Sequence, residues 1–247
     1  MLQLFKQVNS IYEINAAVFN RQKRTRTNNQ TIISTKKGSL KFRLPFSFFL
    51  YFSPLIKRVD KQFYNSIVNS TAHRPIRDLL SGQVLNNPIL LPDLLEIAFD
   101  TEDKNHHKAC WTLELVLQVK IEWLSDHIDD FCNALPNFKQ DGAVRSISKI
   151  CMFAAQHNQK KPGFLNGNHL QQTMEACFDW LIDEKVKVAT KAYAMRALFI
   201  LGKKEDWVYP ELSRILAEDS MKHSFAYIAA AKDILKRIKR HDFIQDL

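Results

Sequence analysis

The sequence predicts an all-α protein, and two observations carry that prediction. Turn-forming residues are scarce, with 6 glycines and 8 prolines in 247 residues, which disfavours a many-stranded sheet and suits long helices with short joints. From about Asp60 onward, apolar residues recur with a helical period almost without a break. A third observation, an internal repeat, turns this set of helices into an architecture.

The helices follow in order. "RPIRDLLSGQVL" places Ile76, Leu79, Leu80 and Val84 on one stripe. Pro88 and Pro92 interrupt it, and Pro92 sits where a helix start tolerates proline. "DLLEIAF" then gathers Leu94, Leu95, Ala98 and Phe99. Further helices are expected near 105–120, 123–134, 141–157, 168–182, 186–202, 208–218 and 222–240. In the third of these, Asp141 suits a cap and Val144, Ile147, Ile150, Cys151 and Ala154 form the buried stripe.

Self-comparison at an offset of 83 lays "FDTEDKNHHKACWTLELVLQVK" over "IDEKVKVATKAYAMRALFILGK". Asp100 meets Asp183, Lys108 meets Lys191, Leu115 meets Leu198, and one inserted residue later Trp123 meets Trp207. Lys149 lies halfway, so Lys108, Lys149 and Lys191 are spaced by 41 and then 42 residues, with Lys232 following 41 later. A period of about 41 with two helices per unit predicts a HEAT-like α-solenoid of stacked antiparallel helix pairs. Each pair has an apolar face it cannot bury alone, so its neighbours complete the core. Lys108, Lys149, Lys191, Trp123 and Trp207 are the repeat frame.

Charge divides the chain in two. Residues 1–61 hold 12 Lys and Arg against 2 Asp and Glu, a net of +10, whereas residues 62–247 hold 23 against 24, a net of −1. The overall +9 therefore makes no strong case for nucleic acid in the helical region. Residues 1–59 are expected to be a disordered or non-native extension, and 60–247 the helical repeat domain. The extension carries the apolar run "LPFSFFLYFSPLI" (44–56) between basic residues; at 13 residues it is shorter than the roughly 20 that a transmembrane helix needs. A targeting peptide, a peripheral membrane anchor and translated upstream sequence compete for this stretch, and the last is preferred because composition changes abruptly near Val59. Amino-terminal sequencing of the native protein is expected to begin beyond Met1.

Cys110, Cys132, Cys151 and Cys177 form no CxxC pair and each falls in an apolar helical pattern. They are expected to be small buried hydrophobes in a reducing, cytoplasmic setting. The candidate polar cluster is His106 and His107 with Asp100, Asp103 and Glu102, types that can ligate a divalent metal. Against this, adjacent helical residues point about 100° apart, and the matching stretch "VKVATKAY" has no histidine. The preferred reading is a helix entrance at Asp103 and Asn105, with no metal and no cofactor. His127 among Asp126, Asp129 and Asp130 could form a base-catalytic pair, but an acidic exposed face with Ile128 and Phe131 buried is preferred. Trp111, Trp123, Trp180 and Trp207 are read as packing at the helix joints rather than a ligand groove. The pair His241 and Asp242 is a weak metal motif, and the cluster Lys232, Lys236, Arg237, Lys239 and Arg240 is read as a solvated helix end.

"NPILLPDLLEIAFDTEDKNHHKACWTLELV", "EWLSDHIDDF", "EACFDWLIDEKVKVATKAYAMRALFILGK" and "DWVYPELSRIL" resemble a family of short all-helical bacterial proteins over about residues 60–240. Its members often carry the name adenylosuccinate lyase, which implies a lyase of purine biosynthesis. That enzyme's signature loop, Ser-Ser-x-Met-Pro-x-Lys-x-Asn, has no counterpart in this sequence, so none of its catalytic residues can be placed and the catalytic residues are unknown. The reading preferred over the lyase is a non-catalytic interaction or scaffold module with a protein partner; a HEAT-like DNA-binding protein is the third. Purified protein is expected to leave adenylosuccinate uncleaved, with no fall in ultraviolet absorbance.

Overall fold

A computed structural model describes residues 59–219 and 223–245, which belong to a compact unit spanning Lys57–Leu247. The expectations for residues 1–58 lie outside the described residues. Every regular element described is helical. The α-helices are α1 (Lys61–Val68), α2 (Arg74–Asn86), α3 (Leu91–Phe99), α4 (His106–Val119), α5 (Ile128–Ala134), α6 (Asp141–Lys160), α7 (Gly167–Ile182), α8 (Val188–Leu201), α9 (Val208–Asp219) and α10 (Phe225–Gln245).

The pairs stack as the repeat requires. The even-numbered helices form one row, α2 against α4, α4 against α6, α6 against α8 and α8 against α10. The odd-numbered helices lie on that row, α3 on α4, α7 on α8, and α9 on α8 and α10. The fold is thus the all-α solenoid the period predicts. One core runs through it, from Phe63 and Ile67 to Ile234 and Ile238. The four cysteines are free and buried within it; burial pushes the Cys132 thiol up to about 11 and raises those of Cys110 and Cys151, so these three stay protonated at neutral pH.

Asp100 and Asp183 stand at corresponding helix ends, whereas Lys108 and Lys191 reach the ends of helices that do not correspond. Asp100 follows the last residue of α3 and Asp183 the last of α7. Lys108 donates from Nζ to the carbonyl of Val68, the last residue of α1. Lys191, 1% exposed, donates to the carbonyl of Leu181 in the last turn of α7 at 2.8 Å. Each ammonium thereby satisfies a helix-end carbonyl that has no intrahelical donor.

Several local expectations need correction. In α2 the buried residues are Leu80, Ser81 and Val84, while Ile76 is 36% and Leu79 64% exposed. Among the described even-row helices α2 has only α4 beside it, so no described even-row helix covers the rest of its apolar stripe. The 123–134 segment is two elements, a 3-10 stretch Ile121–His127 followed by α5. Asp141 does not cap α6; the side chain of Gln140 does, accepting from the Ala143 amide at 2.9 Å.

Candidate functional site

The stretch around His106 is a packed helix entrance. Asn105 is the residue preceding α4 and makes no side-chain cap. Asp103 instead accepts from the Asn105 amide at 2.8 Å and from the Tyr64 hydroxyl at 2.7 Å, joining α1 to this turn. Burial opposes ionisation of Asp103, but hydrogen bonds from Asn105 and Tyr64 outweigh it and hold its carboxyl below the ordinary value. Asp100 is exposed, and its Oδ1 accepts from the Glu102 amide at 3.2 Å.

His106 is 5% exposed and its ring stacks on Phe138 at 6.0 Å between centroids. His107 turns away to meet Trp111 edge-on at 5.0 Å. The two imidazole planes stand at 86° with centroids 6.2 Å apart. Among the described residues no group of three or more His, Cys, Asp or Glu side chains is placed to hold a metal ion. His106, His107, Asp100 and Asp103 therefore sit in one turn without sharing a ligand sphere.

Burial holds both imidazoles below their ordinary value of 6.5, and for His107 the neighbouring His106 adds to the effect. Because the folded pKa is depressed, the unfolded chain binds protons first as pH falls through about 6.5. Stability therefore declines from there toward the folded pKa, and the Asp103 contribution is lost below about 3.8. In His106→Phe, which keeps the stack on Phe138, the unfolding free energy is expected to vary less between neutral pH and the acid side of 6.5. Denaturant melts across that range measure it, and an unaltered slope would remove His106 from this role.

His127 does not gather the aspartates around it. Asp129 reaches across to α7, where its Oδ1 lies 2.5 Å from Nε2 of His169. His169 in turn closes a capping box with Asn166 at the start of α7. Trp180 and Trp111 are buried and half-buried. Trp123 lies in the 3-10 joint between α4 and α5, against the core. Trp207 occupies the joint before α9, 51% exposed, stacked on Phe178 at 5.5 Å. His241 meets the ring of Tyr209 edge-on at 5.2 Å, and the side chain of Asp242 lies outside the described residues.

The most connected polar site lies elsewhere, on the even row. Glu114 of α4, 6% exposed, ties its own helix to α2 and α6. Its Oε2 accepts from Ser146 Oγ of α6 at 2.7 Å and faces Arg77 Nη2 of α2 at 3.5 Å. Its Oε1 accepts from Lys149 Nζ of α6 at 2.8 Å. Lys149 also lies 5.4 Å from the Phe153 ring and 5.9 Å from the Tyr193 ring of α8, which Arg196 flanks at 5.8 Å. A ladder of charges and rings, Arg77, Glu114, Lys149, Tyr193 and Arg196, thus crosses four successive helices.

A model of the HEAT repeat domain matches residues 63–238. The chain belongs to this family. No curated protein and no solved structure matches it.

The HEAT repeats of this chain separate charge by layer. Each odd-numbered helix from α3 to α9 carries a net −2: Asp93 and Glu96; Asp129 and Asp130; Glu175 and Asp179; Glu211, Glu218 and Asp219 against Arg214. On the even row α2 carries +1, α4 is neutral, α6 and α8 carry +2 each and α10 carries +3. Helices α3, α5, α7 and α9 therefore sum to −8 and the even row to +8, which the net of −1 for residues 62–247 conceals. Sequence reading missed both this separation and the role of Glu114. Its signal was available: at the offset of 83 Glu114 stands over Ala197, an acid in an otherwise apolar frame.

Proposed function

We propose that this HEAT repeat protein is a non-catalytic scaffold that binds a protein partner along its even-numbered helices, in a reducing compartment such as the cytoplasm. The observation that supports this is the ladder crossing α2, α4, α6 and α8, whose members range from the buried Glu114 to the exposed Arg196. Rigid helices hold these groups at fixed spacing, the condition under which an extended repeat surface binds with little ordering cost. The buried free thiols support the reducing setting. Among the described residues no helix is long and apolar enough to cross a membrane.

The test is cross-linking of the tagged chain in its native cells, followed by reconstitution with the purified cross-linked protein. A defined complex that survives gel filtration is the expected result. A chain that migrates alone at every concentration and cross-links to no protein would sink the scaffold reading.

A further inference from the structure

The charged groups of the even row are not equivalent. Arg74 and Arg237 are each held by a carboxylate four residues away, at 2.7 and 3.0 Å. Lys149 is shared with Glu114 at 2.8 Å. Arg145, one turn before Lys149 on α6, and Arg196 on α8 are exposed, and among the described residues neither has a carboxylate within ion-pair reach. Their helices offer a single acid, Asp141, one turn before Arg145, and its carboxylate faces Lys187 at 3.6 Å instead.

These cations surround aromatic surface. Tyr193 lies between Lys149 and Arg196, and Phe153 follows Lys149 by one turn; both rings are half-buried. Two guanidinium groups without a carboxylate partner among the described residues, an ammonium held by a buried acid and two rings make a surface suited to carboxylates on an otherwise uncharged chain. Guanidinium forks bind carboxylates in two-point geometry, and the rings supply apolar contact.

We propose that the α6–α8 face around Tyr193 is the docking site for an acidic segment of a partner protein, with Arg145 and Arg196 as the residues that bind its carboxylates. This deepens the scaffold reading and rests on it. Charge excludes one occupant, since residues 1–61 of the chain itself carry +10. Charge also disfavours a nucleic acid. A duplex grip typically engages about 6–10 phosphates, whereas this face has two unpaired arginines and a lysine already shared with Glu114. The −8 of α3, α5, α7 and α9 would further repel a long backbone that extended past the face.

The experiment uses the full chain and a fluorescent deca-glutamate peptide carrying a photo-cross-linker. Binding is followed by anisotropy at low and moderate salt, and cross-links are mapped by mass spectrometry. The expected result is cross-links on α6 and α8, and an affinity that falls roughly tenfold in R145E/R196E with an unchanged melting temperature. Cross-links confined to residues 1–61, or an affinity indifferent to R145E/R196E, would overturn the proposal. So would a duplex oligonucleotide that binds the same face more tightly than the peptide, which assigns the face to nucleic acid. Self-association abolished by R145E/R196E would assign it to a second copy, and likewise overturn the acidic-segment reading. A partner captured in cells whose binding survives R145E/R196E removes this proposal while leaving the scaffold standing; a chain without any partner removes the scaffold itself.

Discussion

Glu114→Ala is expected to lower the unfolding free energy by about 3–5 kcal/mol, the cost of leaving a buried charge without its counter-charge. The carboxylate is 7% exposed at its side chain and Arg77 13%, so water cannot replace the lost partner. The hydroxyl of Ser146, on a residue 1% exposed, would also lose its acceptor. For a domain of this size each kcal/mol moves the melting temperature by roughly 2–4 °C, so a fall of about 10 °C is expected. Glu114→Gln keeps the shape and one acceptor and should lose less, about 1.5–3 kcal/mol, because Arg77 and Lys149 still lose a charged partner. The double variant R77M/E114M is the informative control. Removing both charges relieves their desolvation, so its cost should fall well short of the two single costs added together. Urea melts of the parent, E114A, E114Q, R77M, E114M and R77M/E114M measure all of this, and a loss under 1 kcal/mol for Glu114→Ala would show that the ladder is decoration on the row.

The interest of Glu114 lies also in how the sequence hides it. Helix positions are legible because apolar side chains repeat along one local stretch, and α6 buries Val144, Ile147, Ile150, Cys151 and Ala154 as that periodicity requires. The partners of Glu114 are 37, 32 and 35 residues away, at Arg77, Ser146 and Lys149. No local pattern reports such pairs; only the stacking of helix pairs brings them together. The same holds for Asp129, which belongs with His169, 40 residues on, rather than with His127 beside it.

Charge was obscured for a different reason. Each helix pair from α3–α4 onward contains one acidic and one basic or neutral helix, so summation over the chain cancels the two layers. Only assignment of each helix to a row separates them. The lysine frame was legible as spacing but not as chemistry. Lys108 and Lys191 satisfy helix-end carbonyls, whereas Lys149, at the same spacing, faces Glu114. Equal spacing fixes where a side chain starts, and the neighbouring helix decides what it meets.

The joint between α8 and α9 yields the second large effect. Gly202→Ala is expected to cost about 2–3 kcal/mol, through overpacking rather than through the backbone. Gly202 has φ −64°, a conformation open to any residue. What it lacks is room: a β-carbon there would stand 2.7 Å from Cδ1 and Cε1 of Tyr209 and 2.8 Å from Cγ1 of Val208. Neither neighbour yields easily. Val208 is fully buried, and Tyr209 stacks on Phe199 at 5.7 Å and donates its hydroxyl to the Phe199 carbonyl at 2.9 Å. The added methyl must therefore tilt the start of α9, and α9 packs on both α8 and α10. Hydrogen exchange should rise first in the amides of α9 and α10, while α4 and α6 keep their protection, since each repeat contacts only its neighbours. Removal of the obstructing ring tests the cause. In a Tyr209→Ala background the same Gly202→Ala change should cost less than in the parent, because the ring contacts are gone and only that with Val208 remains. Equal costs in the two backgrounds would place the strain elsewhere, and uniform loss of protection across α4 to α10 would show the repeats to unfold as one unit.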